Sequence, residues 1–217
     1  MVKSFPLPPV NRREVLRYAG AKAETRDLTL LLEDVLAEAE PVLSGTVCWQ
    51  EFPLIHRDDL LDLGFSQTSS ESLKRNLTGC DRVILFGATL GLGLDRLIAR
   101  YSRISPSRAL MLQAIGAERV EALCDVFCDH IGMLYPDLHQ RPRFSPGYGD
   151  FPLHLQTDIF RVLDCSRKIG LTLNQSLLMS PSKSVTAIIG LGDCSGPDHS
   201  DGCRSCGKAD CAFRRIP

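Results

Sequence analysis

The stretch from Arg141 to Pro152, RPRFSPGYGDFP, gathers the residue types in this chain best able to grip a small molecule. Arg143, Ser145, Gly147 and Tyr148 crowd together among prolines that bar both a helix and a central strand. Pro146-Gly147 fits the middle of a type II turn, Pro fixing one φ and Gly supplying a positive one, so Arg143 and Tyr148 project from either side of a tight bend. A guanidinium, a backbone bared by glycine and an aromatic ring together suit a small anionic or zwitterionic ligand carrying a flat ring. The same composition also builds a plain stiff turn with a solvated Arg and a packed Tyr, and both readings stand at this level.

A second chemical cluster lies at the C-terminus. Cys203-x2-Cys206-x4-Cys211 follows Cys194, a spacing in which thiolates make a tetrahedral zinc site or hold an iron–sulfur cluster, with Cys194 or His199 as a fourth ligand or none; free, oxidisable thiols are the alternative. Cys124 and Cys128 stand four apart on one helix face, as metal ligands or, more simply, as small buried hydrophobes. Glu121 on that helix is placed to offer a carboxylate to a ligand amine or ribose, or to be a plain surface acid. Gly87 to Gly93 joins a strand to a helix, as phosphate-cradling turns do, but Arg96 occupies the place of the third glycine of a dinucleotide fingerprint, which favours a connecting turn. His56 reads as a surface residue, and no Ser-His-Asp or Cys-His constellation emerges.

Charge excludes some partners. Lys and Arg number 25 against 26 Asp and Glu, and with no basic run the chain carries no footprint for nucleic acid or for an anionic membrane. The first residues lack a signal-peptide core and no segment has the apolar length of a membrane span, so a cytoplasmic protein is expected, its nine cysteines mostly reduced.

Several elements must position these residues. Asn11 caps a short helix stopped at Gly20, and apolar residues from Leu28 to Ala39 recur at helical spacing after Thr25 or Asp27. Thr46 to Ile55 reads as a strand, Ser69 to Leu77 as a short helix, and Asp81-RVILFGA as a buried strand leading into a helix from Thr89. Ser105-Pro106 opens a long helix that keeps its apolar stripe until Pro136. After the loop, Gln156 to Arg167 makes one amphipathic helix. Ile169–Met179 and Ser184–Gly192 then read as the arms of an antiparallel hairpin. The class is α+β, a twisted antiparallel sheet covered by helices, with residues 1–192 as one domain and 193–217 as a Cys-rich tail.

Taken together, RFSPGYGDFP, IGLTLNQSLLMSPSKSVTAIIG and ERVEALCDVFCDHI resemble the activation domain of cobalamin-dependent methionine synthase, over about residues 80 to 192 and most closely its short stand-alone versions. The resemblance implies a domain that binds S-adenosylmethionine and presents its methyl group to a corrinoid on another module, with electrons from flavodoxin or a similar reductant. It implies that Arg143 grips the ligand carboxylate, that backbone at Ser145 and Gly147 meets the adenosyl part, that Tyr148 lines the pocket, and that Glu121 offers a carboxylate. Methyl transfer from a sulfonium to Co(I) removes no proton from the nucleophile, so the lack of a general base agrees with it. Phe144, Ser145 and Gly149 depart from the Pro, Ala and Pro more usual in the long enzymes. No cobalamin-binding Asp-x-His-x-x-Gly element is present and folate or homocysteine modules do not fit in 217 residues, so the chain is expected to act in trans on a separate methionine synthase or corrinoid methyltransferase. The rivals are a zinc or iron–sulfur interaction module that docks on a corrinoid protein without binding the nucleoside, and a nucleotide-binding enzyme built on Gly87 to Gly93.

Overall fold

Val83 to Ala88 is an unbroken buried run because both faces of its strand are covered. The structure is a computed structural model and describes residues 1–193. In chain order the elements are β1 (Val2–Ser4), α1 (Arg12–Tyr18), α2 (Arg26–Ala39), β2 (Thr46–Pro53), the short strands β3 (Ile55–His56), β4 (Leu61–Asp62) and β5 (Gln67–Thr68), and α3 (Glu71–Asn76). There follow β6 (Arg82–Thr89), α4 (Leu92–Ile104), α5 (Pro106–Leu134), β7 (His139–Gln140), α6 (Gln156–Leu163), α7 (Cys165–Ile169), β8 (Thr172–Leu173), β9 (Met179–Ser180) and β10 (Ser184–Gly192).

The main sheet runs β1-β2-β6-β10-β7, every pairing antiparallel, and the α+β expectation holds. Alternation along β6 sends Ile84, Phe86 and Ala88 into a core shared with α1, α2, α4 and α5, where Trp49 and Phe127 pack beside Phe86. Val83 and Leu85 enter a second core on the opposite face, closed by α3, α6, α7 and Phe151. Helix boundaries follow their caps: the Asn11 side chain accepts from Glu14 N–H at 3.2 Å and the Thr25 hydroxyl from Leu28 N–H at 3.3 Å. Ser105 precedes α5 at the capping position but makes no side-chain capping bond.

Two expectations are corrected. The Ile169–Gly192 hairpin does not form: β8 and β9 pair locally, and β10 pairs instead with β6 and β7. Asn174 is the reason, since its Oδ1 accepts from the N–H groups of Ser176 and Leu178, both at 2.9 Å, and closes the turn before Met179 is reached. The helix from Gln156 is broken at Asp164, whose φ of 54° ends α6 before α7 begins. Among the described residues no helix is long and apolar enough to cross a membrane.

Candidate functional site

Residues 139–144 run along the open edge of β10 as an interrupted edge strand. β7 pairs with Leu191 and Gly192, Arg141 N–H donates to Gly190 C=O at 2.9 Å, and Phe144 and Ile188 exchange two backbone bonds, each of 2.9 Å. Pro142, lacking an N–H, is tolerated at such an edge. The period of two then sends neighbouring side chains to opposite faces: Phe144 joins the second core 6.2 Å from Phe151, and Arg143 reaches across to α5.

Arg143 meets two carboxylates there. One terminal nitrogen, Nη2, donates to Glu121 Oε2 at 2.6 Å and the other, Nη1, to Asp125 Oδ1 at 2.6 Å, with Cys128 Sγ 3.9 Å from Nη1. Glu121 and Asp125 lie one turn apart on α5, which is why one guanidinium spans both. Burial works against the charge on Arg143, but the surrounding acidic groups outweigh it and hold the guanidinium further above its ordinary value. Burial pushes the Cys124 and Cys128 thiols up, which agrees with their reading as small buried hydrophobes. Among the described residues no group of three or more His, Cys, Asp or Glu side chains is placed to hold a metal.

The turn that follows has the expected type II marks. Gly147 has φ of 92° and Tyr148 N–H donates to Ser145 C=O at 3.2 Å, around Pro146 and Gly147. Gly147 N–H donates to Phe151 C=O at 2.8 Å and Phe151 N–H to Tyr148 C=O at 3.0 Å, which fixes the bend over the buried Phe151 ring. The Tyr148 side chain is left 69% exposed, so its ring is offered outward rather than packed. Asp150 then anchors the loop to α3. Its carboxylate accepts from the Ser70 hydroxyl at 2.6 Å and from the N–H groups of Glu71 and Ser72 at 2.8 and 3.0 Å, and these bonds, the Ser70 hydroxyl first, hold it well below the usual carboxylate range.

The structure thus brings Arg143 and Glu121 into direct contact and puts Ser145, Gly147 and Tyr148 on the adjoining bend. Asp125 and Asp150 are additions to the sequence reading. The first was legible as the residue one turn beyond Glu121; the second, whose partners lie 78 to 80 positions away, had no local signal. Cys194, Cys203, Cys206, Cys211 and His199 lie outside the described residues.

The remaining candidates resolve into packing. A Cβ on Gly93 would sit 2.5 Å from Val42 C=O and one on Gly91 2.5 Å from Ser44 Oγ, so these glycines admit neighbouring protein rather than a phosphate. His56 Nε2 lies 3.2 Å from Cys80 C=O. A cleft lined by Phe5 to Val10, Glu40, Leu43 and Gly45 ends at Arg119, but each of that side chain's three nitrogens already donates to Glu118 or to the carbonyls of Pro8 and Pro9.

Residues 72–195 match the family described as vitamin B12 dependent methionine synthase, activation domain. Among curated proteins no sequence match is found. In fold the chain is similar to a crystal structure of the MetH reactivation domain bound to AdoHcy, with a TM-score of 0.63 over 88% of this chain and 78% of that one; at 16% identity the likeness is one of architecture.

Proposed function

The chain belongs to the family of vitamin B12 dependent methionine synthase activation domains, and from that membership we propose that it binds S-adenosylmethionine at the Arg143 loop and supports reductive methylation of a corrinoid carried by a separate protein. The observation that carries the reading is the state of Arg143: a guanidinium fixed by an edge strand, with carboxylates on both terminal nitrogens at 2.6 Å. A donor set that already takes carboxylates in this geometry suits the carboxylate of an amino-acid head group. That the architecturally similar reactivation domain was crystallised with AdoHcy points to the same ligand class.

The ligand supplies a sulfonium methyl, and the partner's corrinoid its acceptor. The chain's part is to hold and aim. Arg143 binds the carboxylate, Glu121 receives polar hydrogens of the same ligand, and the backbone of Ser145 and Gly147 borders the adenosyl group. Tyr148, with its ring exposed, gives a face on which a cationic sulfur is favoured. Alignment of donor and acceptor is then the main catalytic contribution, with no side chain moving a proton. The domain boundary we propose places the whole of this machinery in residues 1–192, with 193–217 as an appendage. The test is coexpression with a corrinoid-carrying methionine synthase or methyltransferase module, adding S-adenosylmethionine and a flavodoxin-like or chemical reductant. Conversion of the Co(II) spectrum to that of methyl-Co is expected only when the chain is present; conversion at the same rate without it refutes the role.

A further inference from the structure

Arg143, Glu121 and Asp125 make a cluster of one cation and two anions, and a ligand carboxylate arriving at Arg143 would make a third. A third carboxylate on one guanidinium adds Coulomb repulsion, which exchange of one occupant for the ligand's carboxylate relieves. From this arrangement, and resting on the assignment of Arg143 as the ligand grip, we infer that Asp125 is an internal competitor: its carboxylate holds Arg143 in the ligand-free chain and is exchanged for the ligand's.

Three observations single out Asp125 rather than Glu121. The Asp125 side chain is 55% exposed against 36% for Glu121, so release returns it to water at the lower cost. The nitrogen that Asp125 would vacate, Nη1, is otherwise near Cys128 Sγ at 3.9 Å, a weak acceptor, so it takes a new carboxylate without losing another strong bond. Glu121 holds the other nitrogen, Nη2, and retaining it keeps the guanidinium aimed while the exchange takes place. The swap conserves the number of charge-assisted bonds on Arg143. Asp125 therefore keeps the guanidinium preorganised in the empty site and lowers the apparent affinity for any carboxylate ligand.

The test is calorimetric titration of the full chain with S-adenosylmethionine and with its decarboxylated analogue, which keeps the sulfonium, ammonium and nucleoside. Asp125→Ala, at an exposed site on a long helix, is expected to bind S-adenosylmethionine about three- to tenfold more tightly, the scale of one partly exposed ion pair, while the decarboxylated analogue binds as it does to the native chain. Asp125→Asn should move the same way. If Arg143→Ala abolishes S-adenosylmethionine binding but both Asp125 variants bind equally or more weakly than the native chain, the competitor role is overturned and the Arg143 assignment survives. If both ligands gain alike in the Asp125 variants, the effect is not carboxylate exchange and the inference falls. If the native chain binds neither ligand, or Arg143→Ala changes nothing, the assignment of the site fails and the inference fails with it.

Discussion

Glu121 Oε2 and Arg143 Nη2 are 2.6 Å apart, and this contact ties the long helix of one core to the edge strand that closes the other. Because the pair is partly exposed and such ion pairs add little to stability, neutralising the acid should nevertheless act on ligand orientation more than on folding. Glu121→Gln is expected to weaken S-adenosylmethionine binding by about fivefold to fiftyfold, as for loss of a charge-assisted bond, with a melting temperature close to the native one. Titration calorimetry beside a thermal melt separates the two effects.

Gly149 carries a second consequence. Its φ is 55°, and a Cβ there would lie 2.6 Å from Ser72 Oγ. Proline cannot adopt that φ, so the position is closed to it and the glycine is built into how this loop meets α3. Gly149→Ala should destabilise the chain by about 1–3 kcal/mol, read from denaturant melts, and Gly149→Pro by more.

Asp150 gives a pH signature. Its folded-state pKa is depressed by the Ser70 hydroxyl and the backbone donors of α3, so its stabilising effect is full above the unfolded carboxylate value and is lost as pH falls towards the lower folded one. The stability difference between native chain and Asp150→Asn should be largest at neutral pH and shrink below about pH 4, where the unfolded carboxylate begins to take up its proton. A constant difference across the acid range would argue against the cap.

The Gly-rich turn after β6 makes a contrasting case. Gly93→Ala presses on the backbone carbonyl of Val42, an atom unable to move cheaply, and a loss of about 1–3 kcal/mol is expected in chemical denaturation, with no protection by added nucleotide. Nucleotide-dependent stabilisation of the native chain would restore the phosphate-loop reading.

What the sequence made legible was whatever is decided locally. Asn11 and Thr25 announce their helices because a cap is a short-range bond, and Val83 to Ala88 announces a doubly covered strand because burial on both faces removes the polar alternation. Pro146-Gly147 announces its turn for the same reason. The missed features depend on distant partners or on competition between local signals. Asp150 caps a helix 78 to 80 positions upstream, and the Ser184 strand finds β6 rather than its neighbour because the Asn174 side chain closes a nearer turn. Asp164 breaks α6 with a left-handed φ that its residue type permits but does not announce.

The proposed boundary at residue 192 predicts that the C-terminal cysteines are separable from ligand binding. A chain ending at Asp193 should fold and bind S-adenosylmethionine as the full chain does, since β10 ends at Gly192 and, among the described residues, Arg143 bonds to Glu121 and Asp125, both before it. Elemental analysis of anaerobically purified full chain and truncated chain tests the tail as a zinc or iron–sulfur site. Metal in the first alone assigns it to the tail, and metal in neither removes that proposal.

Equilibrium dialysis of the full chain against methyl-radiolabelled S-adenosylmethionine tests the central claim most directly. The account predicts saturable retention of one equivalent per chain, abolished in Arg143→Ala while that variant keeps the native fold by circular dichroism. No retention by the native chain, or undiminished retention by folded Arg143→Ala, would contradict it.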